Sequence, residues 1–145
     1  MPTEIMPTEI EDLCNTIEEC YEFTLSYAAQ GLPTDEGSQS GKQLRHHLAR
    51  AVQAVGGLEK SCAALIASDQ LEPVEKFQAF FALLARDAQN ALAAMELVLA
   101  QPGISSQLID NLNASMHLRA LLTDLFLITE ILQLRQSQPK PLAAN

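Results

Sequence analysis

A basic stretch of helix-forming sequence, residues 42–57 (KQLRHHLARAVQAVGG), holds the side chains best suited to chemistry in this chain. Its candidate residues are Lys42, Arg45, His46, His47 and Arg50. An imidazole can ligate a metal, carry a proton or accept a phosphoryl group, and neighbouring cations can neutralise a bound anion. The stretch stands out because the 145-residue chain has a formal net charge of −9.

The spacing of the potential ligands argues against a metal or cofactor site. His46 and His47 are adjacent, so on one helix they point about 100° apart and cannot chelate the same ion. A di-iron bundle needs Glu-x-x-His motifs, and no Glu lies three residues before any of the three histidines. The three cysteines, Cys14, Cys20 and Cys62, form no CxxC pair. We therefore predict no metal and no cofactor.

The sequence also lacks the motifs typical of hydrolases and of nucleotide-binding proteins. The chain has no Gly-x-Ser-x-Gly elbow. The Gly56-Gly57 pair lies within a continuous apolar helical pattern and does not follow a strand, which argues against a phosphate-cradling loop. We expect no catalytic activity.

A short resemblance gives His46 a possible role. The residues that carry it are His46-His47-Leu48-Ala49-Arg50, followed by Val55-Gly56-Gly57-Leu58. They resemble the phospho-accepting helix of histidine-phosphotransfer domains, whose motif is His-x-Leu/Ile-Lys-Gly with a further glycine at the place of Gly56. The family's Lys and first Gly are replaced here by Ala49 and Arg50. These domains are four-helix bundles that exchange phosphoryl groups with response-regulator receivers. The resemblance implies that His46 accepts the phosphoryl group and that Lys42, Arg45 or Arg50 supplies positive charge.

Charge patterning offers a purely structural explanation of the same stretch. Residues 1–41 contain nine acidic residues and no Lys or Arg, whereas residues 42–60 contain four basic residues and one acidic residue. Neighbouring helices with such edges attract each other. The expected facing groups are Glu11, Glu18 and Glu22 on the first helix and Arg45, Arg50 and Lys60 on the second.

Apolar residues spaced three and four apart predict an all-α fold, an up-down-up-down antiparallel four-helix bundle. The predicted helices span residues 7–30, 42–67, 74–100 and 105–135. Together they form a single domain over residues 7–136. The pentapeptide MPTEI is duplicated over residues 1–10, of which residues 1–6 are expected to be disordered, and residues 137–145 are expected to form a frayed polar tail.

Two helices carry further expectations. The second has an unbroken apolar seam, so we predict that it continues through Gly56 and Gly57; the seam is Leu44, Leu48, Ala51, Val55, Leu58, Cys62 and Leu65. The last helix has two apolar stripes, and a helix buried on one side needs only one. The first stripe is Leu118, Leu121, Leu122, Leu125, Ile128 and Leu132. The second stripe, Ala120, Leu127, Ile131 and Leu134, is the predicted homodimer interface.

Composition limits the class of partner. An isoelectric point near 4.6 disfavours nucleic acid and anionic membranes. The sparse, odd set of cysteines and the lack of a signal-peptide pattern favour a cytoplasmic protein with reduced thiols.

These observations together predict a non-catalytic helical bundle that binds a protein partner as an adaptor, regulator or inhibitor. The expected partner surface is the basic edge, which we define as His46, Arg50, Gln53 and Lys60. A phosphotransfer module with His46 as acceptor is the alternative. A third hypothesis is a ligand bundle with an apolar pocket lined by Phe77, Phe81 and Met95.

Overall fold

The computed structural model describes residues 8–68 and 70–137, and within them it contains six α-helices and no β-strand. In chain order these are α1 (Thr8–Ala29), α2 (Gln39–Gly56), α3 (Leu58–Ala67), α4 (Val74–Leu99), α5 (Ser106–Ala114) and α6 (Met116–Ser137). The all-helical prediction is confirmed. The predicted disorder of residues 1–6 lies outside the described residues, as does the predicted tail beyond Ser137.

The second predicted helix is broken, so the prediction of a continuous helix through the glycine pair is wrong. Gly57 leaves α2 with φ −93° and ψ −5°, and its N–H donates to the carbonyl of Ala54 in a tightened last turn. Because this conformation is still close to helical, α3 begins at the next residue, Leu58, and its buried side chains stay in register with those of α2. All seven predicted seam residues, from Leu44 to Leu65, are buried.

The last predicted helix is also two helices. Ser115 has extended backbone (φ −61°, ψ 134°), and its hydroxyl accepts a hydrogen bond from the N–H of His117 at the start of α6. The break changes the phase of the buried stripe. A straight continuation from Leu112 would bury Met116, which is 81 % exposed, whereas α6 buries Leu118 and Leu121.

Serine side chains cap the starts of two of the helices. The Ser38 hydroxyl accepts from the N–H of Gly41 at the start of α2, and the Ser105 hydroxyl accepts from the N–H of Leu108 in α5. Such caps satisfy amide groups that the first helical turn leaves without partners. The α4 helix instead begins after Pro73, which follows a cis peptide bond from Glu72.

Side-chain contacts define the direction of neighbouring helices. Glu19 and Phe23 of α1 lie opposite Arg50 and His47 of α2, so later residues of α1 meet earlier residues of α2. Arg45 of α2 reaches the C-terminal end of α4. Each of these pairs of helices is therefore antiparallel.

The α4 and α6 helices are antiparallel by the same criterion. Phe77 lies under the guanidinium of Arg135, and Asp87, which is further along α4, meets Asp124, which is earlier in α6. The α5 helix packs mainly on α1.

The core runs between these helices and is rich in aliphatic residues. The first stripe of α6 is buried over its whole length, as predicted. On α1 the centre of the buried face is Cys14, Ile17 and Tyr27, while Leu13 and Tyr21 lie at its margin. Cys20 is buried too, because α1 packs against several helices.

Candidate functional site

The four residues of the basic edge, His46, Arg50, Gln53 and Lys60, are all exposed. The first three lie on one face of α2, since they are spaced by four and three residues. Lys60 follows on α3, beyond the bend at Gly57. The structure thus presents an imidazole, an amide and two cations along one side of an otherwise acidic protein.

The two adjacent histidines have different environments. The His47 ring is half-buried and stacks on Phe23, with the ring centroids 4.6 Å apart and the planes 25° apart. Burial, followed by the nearby His46 and Arg50, lowers the pKa of His47. His47 is therefore part of the packing between α1 and α2, and His46 is the histidine that faces solvent.

Arg50 retains most of its freedom to bind a partner. Its closest acidic group is Glu19, at 3.9 Å between Nη1 and Oε1, and both side chains are about half exposed or more. Exposed pairs of this kind contribute about 0–1 kcal/mol. We predicted that Arg50 faces Glu11, Glu18 or Glu22, and this prediction is wrong. The register of α1 and α2 brings Glu19 opposite Arg50 instead.

Arg45 is withdrawn from the basic surface, contrary to the predicted pairing with α1. Its guanidinium donates to the Asp35 carboxylate, with 2.5 Å between Nε and Oδ2. It also donates to the carbonyls of Leu99, Gln101 and Pro102 at the end of α4. A cation at this position satisfies carbonyls that a helix terminus leaves free and complements the negative end of the helix dipole.

The same end of the protein is closed by a buried hydrogen-bond network that joins α1 to the start of α5. The Asp35 carboxylate accepts from the N–H of Ile104 at 2.7 Å, and the Tyr27 hydroxyl donates to the Ile104 carbonyl at 2.6 Å. Ser106 donates through its hydroxyl to the Tyr27 carbonyl and accepts from the N–H of Leu32. Every partner is internal, which makes this a structural network.

No pattern in the sequence pointed to this network. Its members lie in the turn after α1 and in the loop before α5, about 70 residues apart. An aspartate in a Gly- and Pro-containing loop is usually a turn residue, and periodicity does not assign it a distant partner.

The predicted dimer stripe lies on the outer side of α6. Leu127 and Leu134 are 50 % and 51 % exposed, while Ala120 and Ile131 are partly buried. Phe126 is 51 % exposed beside them. This helix face therefore carries more exposed apolar surface than a helix with a single buried stripe.

The aromatic and sulfur side chains considered for a pocket are core residues. Phe77, Phe81 and Met95 are all more than 90 % buried in the face of α4. Phe77 and Phe81 pack with ring centroids 6.1 Å apart, and the Arg135 guanidinium lies 5.3 Å from the centroid of Phe77. These contacts fill the space between α4 and its neighbours.

A carboxyl pair lies between α4 and α6. Asp124 is 7 % exposed and lies beside Asp87, and its Oδ2 has no hydrogen-bond partner among the described residues. Burial, assisted by the neighbouring Asp87 carboxylate, raises the pKa of Asp124 to about 7. A carboxyl group that is buried beside a second carboxylate favours its protonated form, because two adjacent charges in a poorly solvated place carry a large cost.

The described residues bring no three His, Cys, Asp or Glu side chains together in a geometry that would hold a metal ion. No described helix is both long and apolar enough to span a membrane. The three cysteines are buried and unpaired with one another, and burial raises the pKa of each thiol to about 12.

Comparison with protein families, with characterised proteins and with solved structures finds no match for this chain.

Proposed function

We propose that this chain is a non-catalytic helical-bundle protein that binds an acidic protein partner, as an adaptor, regulator or inhibitor. In this proposal α1, α2 with α3, α4, and α5 with α6 are the four members of an up-down-up-down bundle. The antiparallel contacts of α1 with α2, α2 with α4 and α4 with α6 support that arrangement.

The observation that carries the proposed function is the exposure of the whole basic edge. Arg45, which is adjacent to His46, is engaged in hydrogen bonds with Asp35. The ring of His47 is stacked on Phe23. His46, Arg50, Gln53 and Lys60 are left facing solvent. Complementary charge accelerates association and selects partners, so the edge favours an acidic surface.

Two further elements belong to the proposal. The outer stripe of α6 forms a homodimer contact, supported by the half-exposed Leu127. The protein works in the cytoplasm, supported by three unpaired thiols, which persist in reducing compartments.

The test compares two charge-reversed variants in the native host. Arg50→Glu with Lys60→Glu changes the basic edge, and Lys76→Glu with Arg86→Glu changes the net charge equally on α4. Proteins captured by the wild type and by the α4 variant, but lost from the edge variant, would support the proposal. Their binding should weaken as salt is raised. Equal capture by both variants would contradict it.

Phosphotransfer is a second candidate function, because His46 is exposed with Lys42 one turn before it and Arg50 one turn after it. Cations at these positions can neutralise phosphoryl oxygens. Arg45, which the family resemblance also suggested, is engaged with Asp35 and is excluded from that role.

Incubation with phosphoramidate tests this candidate. Attack of an imidazole nitrogen of His46 on phosphorus would release ammonia and leave an acid-labile phosphohistidine. The label should disappear in His46→Gln and persist in His117→Gln, which changes another exposed histidine. An unlabelled wild type, or a label that His46→Gln leaves unchanged, would exclude the candidate.

A further inference from the structure

The outer face of α6 is complementary to its own reversed copy. We propose that two copies of this chain associate with their α6 helices antiparallel, related by a two-fold axis near residue 125. This inference rests on the proposed homodimer and specifies its register and contacts.

The centre of the outer face is a seam with coiled-coil spacing. Starting from Met116, the residues recur at intervals of four, three, four, four and three, which is the pattern of helices that pack along their length. The seam is Met116, Ala120, Thr123, Leu127, Ile131 and Leu134. Met116 and Leu127 are 81 % and 50 % exposed, and Thr123 is exposed between them.

Reversal of the helix about residue 125 places four of the six seam residues opposite seam residues of the second copy. Thr123 then faces Leu127 of the second copy, and Leu127 faces Thr123. With the same register, Met116 faces Leu134 of the second copy. The seam is roughly 27 Å long at 1.5 Å per residue, which spans nearly the whole helix.

The two edges of the seam are complementary to within one residue of this register. Arg119 and Glu130 are eleven residues apart, so they lie about 20° from each other on one edge. In a two-fold antiparallel pair each edge meets its own copy, which brings Arg119 opposite Glu130 of the second copy. On the other edge, the small Ala120 meets the larger Ile131 in the same way.

Charge also favours a second copy at this helix over other faces. The α1 helix carries six acidic residues and no basic residue from Glu9 to Glu22, so it repels another copy of a chain with net charge −9. The exposed charges of α6 are Arg119, Arg135 and Glu130, since Asp124 is buried. The Arg135 guanidinium lies over Phe77 of α4, so the outer face itself carries one positive and one negative charge, and these pair when the face is reversed.

Disulfide trapping tests the register directly. The double variant Thr123→Cys with Leu127→Cys should form a covalent dimer under mild oxidation. The matched control, Ala49→Cys with Gln53→Cys, has the same spacing on an exposed face of α2. The native thiols contribute little background, because they are buried and have raised pKa values. We expect at least about tenfold more covalent dimer from the α6 pair than from the control. Equal yields from both pairs would overturn the register.

Charge exchange provides an independent test. Arg119→Glu and Glu130→Arg should each weaken dimerisation several-fold, and the variant with both changes should recover it. A mixture of the two single variants should form a heterodimer in preference to either homodimer, because the opposite charges then face each other.

Sedimentation separates failure of the register from failure of the proposed dimer. A wild-type mass of 15.8 kDa at about 100 μM protein overturns both. A dimer whose affinity the charge changes leave unaltered overturns the register and leaves the dimer proposal standing.

Discussion

The Asp35 carboxylate is held between the guanidinium of Arg45 and the backbone N–H of Ile104, with 2.5 Å from Arg45 Nε and 2.7 Å from Ile104 N. The side chain of Asp35 is 6 % exposed, whereas that of Arg45 is 34 % exposed. The hydrogen bond from Arg45 is the main reason that the pKa of Asp35 is lowered. One aspartate therefore joins the loop after α1, the start of α2 and the loop before α5.

Replacement of Asp35 by Asn should lower the free energy of unfolding by about 1–3 kcal/mol at pH 7, as measured by urea denaturation. The amide keeps an acceptor for Ile104 but leaves the Arg45 charge without its partner. Glu36→Gln, at the exposed neighbouring position, should change stability by less than about 0.5 kcal/mol.

The loss of stability caused by Asp35→Asn should depend on pH, and the lowered pKa of Asp35 fixes the direction of that dependence. Because the folded pKa of Asp35 is lowered, its stabilisation is present above its ordinary pKa near 4 and is lost as the pH falls through the folded value. The difference between wild type and Asp35→Asn should shrink in acid. A difference that grows in acid would contradict the assigned charge state.

Replacement of Gly41 by Ala should destabilise the protein by about 2–4 kcal/mol, since a Cβ atom would lie within 3 Å of three backbone atoms of Asp35. Gly56 at the end of α2 is the matched control, because nothing lies within 4 Å of its Cβ position. Gly56→Ala should stabilise by about 0.5–1 kcal/mol. Thermal unfolding of both variants checks this contrast, and a tolerated Gly41→Ala would refute the close approach.

Replacement of Asp124 by Asn should remove a pH dependence of stability. The folded pKa of Asp124 is raised to about 7, so the protein binds its proton more tightly when folded. The contribution of Asp124 to the free energy of unfolding is therefore fully present below about pH 4 and is lost as the pH rises through about 7.

Urea denaturation at pH 5 and pH 8.5 measures this effect. Asp124→Asn should gain roughly 2–4 kcal/mol relative to wild type at the higher pH, because no charge then needs to be buried beside Asp87. Asp110→Asn, at an exposed position of α5, should leave the pH dependence unchanged. A wild type that becomes more stable relative to Asp124→Asn above pH 7 would contradict the raised pKa.

Replacement of Phe23 by Ala should raise the pKa of His47 toward the ordinary value near 6.5. The stacked Phe23 ring covers His47, and burial is the main cause of its lowered pKa. Titration of the histidine ring protons by NMR measures the change. An unchanged His47 curve would show that Phe23 does not provide the burial.

The sequence by itself determined which residues enter the core of most helices. Leu44, Leu48 and Val55 of α2, and Leu121 and Leu125 of α6, are buried as their three- and four-residue spacing predicted. This succeeds because an amphipathic helix has one orientation that removes its apolar stripe from water. Ser38 and Ser105 cap their helices for an equally local reason, since a capping side chain bonds to the adjacent turn.

The sequence also carried one signal for a break in its last helix. The stripe of Ile109 and Leu112 does not continue in phase into Leu118 and Leu121, and Ser115 lies where the phase changes. The break at Gly57 had no such signal, because a single residue in near-helical conformation keeps the phase of the seam.

Only the tertiary structure decided which charged residues remain available. The family resemblance gave Arg45 and Arg50 the same role, yet Arg45 is bound to Asp35 and the end of α4, while His46 and Arg50 face solvent. Their roles depend on distant chain segments, and side-chain partners across a fold are set by packing rather than by spacing. The sequence determined the buried stripes because burial of a helix is a local, periodic property. The tertiary structure decided which charged side chains are exposed, because that depends on how all six helices pack against one another.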